Sequence, residues 1–142
     1  MGKDADFKNE VSIEGYAPVD FKTVDADNMY HPDAVFEKGG HLVILESSST
    51  NDRKPHIGEL MQFLSFVSKD DKYKEYSFAL FLCGKGKGRP KVSTEIKRLQ
   101  HYYDSFPISK AVRDKIKEIA VAEQEGMDLK IETIEGFSRL EL

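Results

Sequence analysis

Two carboxylates stand out by their setting. Asp33 heads the short apolar stretch Ala34-Val35-Phe36, and Glu46 closes the next one, Leu42-Val43-Ile44-Leu45. Lys38-Gly39-Gly40 lies between them and reads as a tight turn, so Asp33–Glu37 and His41–Ser47 form a hairpin. In a hairpin the start of the first strand lies beside the end of the second, which brings the two carboxylates within several ångströms. Side chains two apart on a strand share a face, so Leu42, Ile44, Glu46 and Ser48 form one row and Val43, Leu45 and Ser47 the other. Two neighbouring carboxylates repel, and burial disfavours their charged form unless a cation sits between them. A divalent ion with hard oxygen ligands answers that conflict, and Mg²⁺ commonly takes one or two carboxylates together with water and phosphate oxygens. Metal-assisted phosphodiester hydrolysis is the chemistry such a site supports. The competing reading is a pair of acidic, solvated strand ends.

The elements around the hairpin must position this pair. Ser47–Lys54 is a polar loop, and Pro55 suits a first helical turn. Ile57, Leu60, Met61, Leu64 and Val67 recur at helical spacing, which predicts an amphipathic helix from His56 to about Ser68. Tyr76–Cys83 is apolar throughout and reads as a central strand covered on both faces. A helix joining the Glu46 strand to the Tyr76 strand is a crossover, so those strands run parallel. A second helix follows from Ser93 to Ser105, with Ile96, Leu99 and Tyr103 on one face. Ser109 then reads as the N-cap of a long helix, Lys110–Glu125, closed by Gly126. Val11–Ile13 and Phe21–Val24 alternate like short strands, and Leu129–Ile134 and Phe137–Leu142 read as edge strands. The expected fold is a mixed α/β sandwich, with helices on both sides of a central sheet.

The chain has 142 residues, 39% hydrophobic and 32% charged, which is the size and composition of one domain spanning 1–142. No apolar run approaches a membrane span, and the first residues lack the apolar core of a signal peptide. The single cysteine, Cys83, excludes a disulfide framework and a cysteine-based zinc site, and reads as a buried structural thiol. A cytoplasmic protein is expected. The net charge of −4 argues against a general nucleic-acid binder, yet charge is segregated. Residues 1–37 hold nine acids and three lysines, whereas Lys85–Arg98 holds six Lys/Arg and one acid. The loop Gly84-Lys85-Gly86-Lys87-Gly88-Arg89-Pro90 fits no dinucleotide or P-loop pattern. Lys85, Lys87, Arg89 and Lys91 are candidates for contacting a nucleic-acid backbone without reading bases. His31 reads as a surface histidine, and Tyr102 and Tyr103 as helix packing.

The run His31-Pro32-Asp33, twelve residues, then Glu46-Ser47-Ser48 resembles the core motif of the PD-(D/E)XK nuclease superfamily, whose fold is called restriction-endonuclease-like. That motif is an Asp opening one strand, often after Pro, and an acid-x-Lys closing the next. The helix, the apolar strand, and the basic loop and helix after it follow in the family's order, over about residues 20–105. The resemblance implies a three-layer α/β sandwich and a Mg²⁺- or Mn²⁺-dependent endonuclease acting on DNA. Asp33 and Glu46 would bind the metal, with the main-chain carbonyl of Ser47 as a third ligand, and Glu59 and Gln62 would stand near the site. The sequence departs from the pattern at the motif lysine, which is Ser48 here. A serine holds water by hydrogen bonding but carries no charge. Lys54 is the candidate to reach in from elsewhere. The departure keeps open a second reading, a catalytically inactive nuclease-fold protein that binds nucleic acid or assembles with a partner. Cutting both strands of a duplex needs two active sites, so a homodimer or a partner subunit is expected, with Ser109–Glu125 as a possible interface.

Overall fold

A computed structural model describes residues 11–21, 30–49, 52, 54–83, 90–123, 130–131, 134 and 137–142. Within them the chain forms β1 (Ser12–Ile13), β2 (Ala17–Pro18), β3 (Ala34–Lys38) and β4 (His41–Ser48), then helix α1 (Lys54–Lys69) and β5 (Glu75–Leu82). Helices α2 (Val92–Ser105) and α3 (Lys110–Lys115) follow, then β6 (Ile116–Glu123), β7 (Lys130–Ile131) and β8 (Ser138–Arg139). The result is an α/β protein whose six-stranded mixed sheet, in the order β2-β3-β4-β5-β6-β8, packs against three helices.

The front of the sheet, β2-β3-β4, is antiparallel and contains the expected β3–β4 hairpin, and β4, β5 and β6 run parallel. The β3–β4 turn forms because Gly39 and Gly40 both take positive φ, +55° and +82°, the conformation a two-residue hairpin turn demands. Lys38 pairs with His41 across it, and the register continues to Ala34 with Leu45. Extended by one residue, that register would set Asp33 against Glu46.

Alternation along the strands separates two cores. Leu42 and Ile44 of β4, with Tyr76, Phe78 and Leu80 of β5, pack against Leu60, Phe63, Leu64, Phe66 and Val67 of α1 and Leu99 and Tyr103 of α2. Val43, Leu45, Ala79, Phe81 and Ala120 face the other way and meet Val11, Ile13 and Ile134. Among the described residues all three helices lie on the first face, where the pattern had suggested helices on both.

Three elements differ from expectation. The helix after Ser109 is real, and Ser109 Oγ accepts from the Val112 N–H at 3.2 Å, but it stops at Lys115. Ile116–Glu123 is a strand instead, because Ile119 and Val121 serve the helix-covered core while Ala120 and Ala122 serve the opposite one. That apolarity on both faces is a strand property, and it removes Ser109–Glu125 as a helical interface. In α1 the buried stripe is His56, Leu60, Phe63, Leu64, Phe66 and Val67, whereas Met61 is 45% exposed. Cys83 lies one residue beyond β5 and is half-buried, not buried. Of the expected strand Phe21–Val24 only Phe21 is described, and it is not in a strand.

Helix α1 is anchored at its C-terminal end by a cation from α3. Lys115 Nζ donates to the carbonyls of Val67 at 2.7 Å and Asp70 at 2.8 Å, satisfying acceptors that a helix end leaves open. No helix among the described residues is long and apolar enough to cross a membrane.

Candidate functional site

Asp33 and Glu46 meet as the register requires. Each carboxylate holds the other residue's strand: Ser47 N–H donates to Asp33 Oδ2 at 2.8 Å, and Asp33 N–H donates to Glu46 Oε1 at 3.3 Å. This reciprocal clasp closes the open end of the hairpin. Glu46 is buried, 5% exposed, on the helix-covered face, and Asp33 is half-buried.

Tyr30, 4% exposed, precedes the hairpin, and its phenol is held well above the usual tyrosine range. Burial is the main cause, followed by the negative charges of Glu46, Glu59 and Asp33. The Tyr30 phenol therefore lies within electrostatic reach of Glu46, Glu59 and Asp33. Gln62, one turn beyond Glu59 along α1, is exposed.

Ser48, at the position of the motif lysine, is engaged in a chain. Its Oγ lies 2.8 Å from His56 Nε2, and His56 Nδ1 lies 2.9 Å from Glu95 Oε2. His56 and Glu95 have no exposure and Ser48 has 6%. Arg98 Nε stands 3.8 Å from the other oxygen of Glu95. The chain thus runs from the interior, across the α1–α2 packing, to the end of β4, on the strand face that also carries Glu46.

The remaining candidates lie further out. Lys54 is exposed at the first position of α1, its N–H donating to Asp52 Oδ1 at 3.1 Å. Lys91 is exposed at the N-cap of α2, its carbonyl accepting from the Thr94 and Glu95 N–H groups at 3.1 and 3.0 Å. Lys85, Lys87 and Arg89 lie outside the described residues. His31 is exposed; Tyr103 is buried beneath the Arg113 guanidinium, while Tyr102 is 37% exposed.

Sequence reasoning missed Tyr30, Glu95 and the role of His56. A signal existed for the last two. Glu95 is the one acid in a basic stretch and stands four and eight residues before Leu99 and Tyr103, on the buried stripe of α2. His56 stands four before Leu60 on the stripe of α1. A polar side chain on a buried stripe requires a partner.

The donors brought together here are two carboxylates, hard oxygen ligands of the kind that suits Mg²⁺ or Mn²⁺. Among the described residues no three His, Cys, Asp or Glu side chains are placed to share one ion. A metal would therefore rest on the Asp33 and Glu46 carboxylates with the Ser47 carbonyl. Compared with known proteins, the chain matches no family model, no curated protein and no solved structure.

Proposed function

We propose that this protein is a Mg²⁺- or Mn²⁺-dependent endodeoxyribonuclease of the PD-(D/E)XK type, hydrolysing phosphodiester bonds of DNA. The observation that carries the reading is the clasp of Asp33 and Glu46, which sets two carboxylates together at the end of β4. The meander β2-β3-β4, the crossover helix α1 and the parallel strand β5 support it, since they follow the order the resemblance implies. The restriction-endonuclease-like fold is part of the same proposal, although among the described residues the helices cover one face of the sheet only.

In this reading Asp33, Glu46 and the Ser47 carbonyl hold the ion, which supplies charge to polarise the phosphate and to activate water. Two carboxylates alone would repel a phosphodiester, so the cation is what makes the site compatible with its substrate. The mutual hydrogen bonds fix both carboxylates before any ligand arrives, which lowers the ordering cost of binding. Lys91, with Lys85, Lys87 and Arg89, contacts the DNA backbone, and a second copy or partner subunit serves the second strand.

The test is cleavage of plasmid, linear and single-stranded DNA with Mn²⁺ by the protein and by Asp33→Asn and Glu46→Gln. Both variants keep an oxygen for the clasp and lose a charge. Cleavage at least about 100-fold slower in both, with weakened Mn²⁺ binding by calorimetry, is the expected result. No cleavage and no Mn²⁺ binding by the unaltered protein would instead favour the inactive, nucleic-acid-binding or assembly reading.

A further inference from the structure

The chain Ser48–His56–Glu95 has the connectivity of a nucleophile, base and orienting acid, at hydrogen-bond distance throughout. Hydrogen-bond polarity follows from its inner end. A Glu95 carboxylate only accepts, so the proton between it and His56 lies on Nδ1. In the neutral imidazole Nε2 then carries the lone pair, and Ser48 donates its one hydroxyl proton to it. The remaining capacity of Ser48 Oγ is as an acceptor.

We infer that the Ser48 hydroxyl, backed by His56 and Glu95, takes the proton of the attacking water, in place of the lysine that this sequence lacks. The inference rests on the nuclease reading. Ser48 lies two residues from Glu46 on the same strand face, and with its proton given to His56 its oxygen keeps acceptor capacity for a water held between the two side chains. As the water oxygen bonds to phosphorus, its proton passes to Ser48 Oγ while the hydroxyl proton of Ser48 passes to His56 Nε2. The bond from phosphorus to the leaving sugar oxygen breaks with its electron pair on that oxygen, which takes a proton from solvent water. His56 returns its proton through Ser48 to the hydroxide so formed. Ser48 is the catalytic group; His56 and Glu95 are positioning residues that act through it.

An acylating serine is the other activity such a chain suggests. The surroundings disfavour it: Glu46, clasped with Asp33, lies two residues away on the same strand face, and its charge would repel the oxyanion of an acyl-transfer intermediate. Attack by water on a metal-bound phosphate fits those carboxylates, and an acyl intermediate does not.

Glu95→Gln separates this role from mere packing. Its amide N–H₂ can donate to Nδ1, which moves the imidazole proton to Nε2 and turns the Ser48 proton outward, with little change in volume. The expected result is a folded protein with Mn²⁺ affinity within about 3-fold, KM little altered and kcat for Mn²⁺-dependent DNA cleavage down about 100-fold. Nitrogen-15 NMR of His56 should report the Nδ1–H tautomer in the unaltered protein and the Nε2–H tautomer in the variant. Ser48→Ala should lose kcat to the same extent, and it decides the matter if Glu95→Gln does not fold. Cleavage by the unaltered protein with kcat retained within 2-fold in both variants overturns this inference and leaves the nuclease reading standing. Absence of cleavage by the unaltered protein overturns both.

Discussion

Replacing His56 and Glu95 together by Leu should destabilise the protein far less than the sum of the two separate replacements. In His56→Leu the Glu95 carboxylate, with no exposure, loses its donor at 2.9 Å, and Ser48 loses its partner at 2.8 Å. Stranding a buried charge costs about 3–5 kcal/mol, and the lower end applies because Arg98 stands 3.8 Å from the same carboxylate. Glu95→Leu strands one His56 N–H, about 2 kcal/mol. In the double variant both polar groups are gone and two leucines occupy the α1–α2 packing. What remains is a Ser48 hydroxyl at the strand end and a shape mismatch, together about 2 kcal/mol. His56→Leu carries that same remainder, so it cancels in the cycle, and the coupling is the stranded charge plus the stranded N–H, roughly 5 kcal/mol. Urea unfolding of the four proteins at one pH measures it, provided the slopes agree and the transitions are two-state. A coupling below about 0.5 kcal/mol would refute the buried chain, and with it the hydrogen-bond polarity assigned to Ser48.

Three other perturbations test the frame around the site. Lys115→Met removes two charged donors from the end of α1 and should cost about 2 kcal/mol in urea unfolding, whereas Lys110→Met breaks only the exposed pair with Asp114 and should stay within about 0.5 kcal/mol. Gly40→Ala, at φ +82°, should lower stability by about 1 kcal/mol, while Gly58→Ala in α1, where an added methyl meets open space, should raise it by about 0.5–1 kcal/mol; thermal melts compare them. Burial, and then the 2.6 Å bond to Glu37, push the Tyr73 phenol up to about 12, so the folded state holds this proton more tightly than the unfolded chain. Its contribution is complete below about pH 10 and is lost as pH rises through 12, so Tyr73→Phe should flatten the fall in stability over that window.

What was legible in the sequence was local. The Gly-Gly turn and the two apolar runs set the hairpin, and the hairpin sets Asp33 against Glu46. Alternation puts Glu46 and Ser48 on one face, and the Leu42–Ile44 row in the helix-covered core bears this out. The β6 strand was not legible, because Ile116, Ile119 and Ala120 satisfy a helical stripe as well as a strand, and only the vacancy between β5 and β8 selects the second. The partner of Ser48 was hidden for a related reason. His56 and Glu95 are 39 residues apart, and their contact depends on how α1 and α2 cross, which no local spacing encodes.

Stability alone does not account for the Ser48 chain. A buried polar trio usually gains little over apolar side chains of the same size, so its presence in the larger core asks for another cause. The opposite end of β4 supplies a comparison. There His41 joins Tyr16 Oη at 2.8 Å on Nδ1 and Ser77 Oγ at 2.6 Å on Nε2. That chain ties the segment before β2 to β5 on the other side of the sheet, a cross-link that an apolar contact would not orient. The Ser48 chain joins elements already held by Leu60, Leu99 and Tyr103, so a cross-link adds nothing there. Its outer end falls instead on the strand face of Glu46, at the end of β4 where Asp33 is clasped to Glu46. A histidine fixed by a buried acid, aimed at a hydroxyl beside clustered carboxylates, supports a chemical role where its counterpart at His41 supports a structural one.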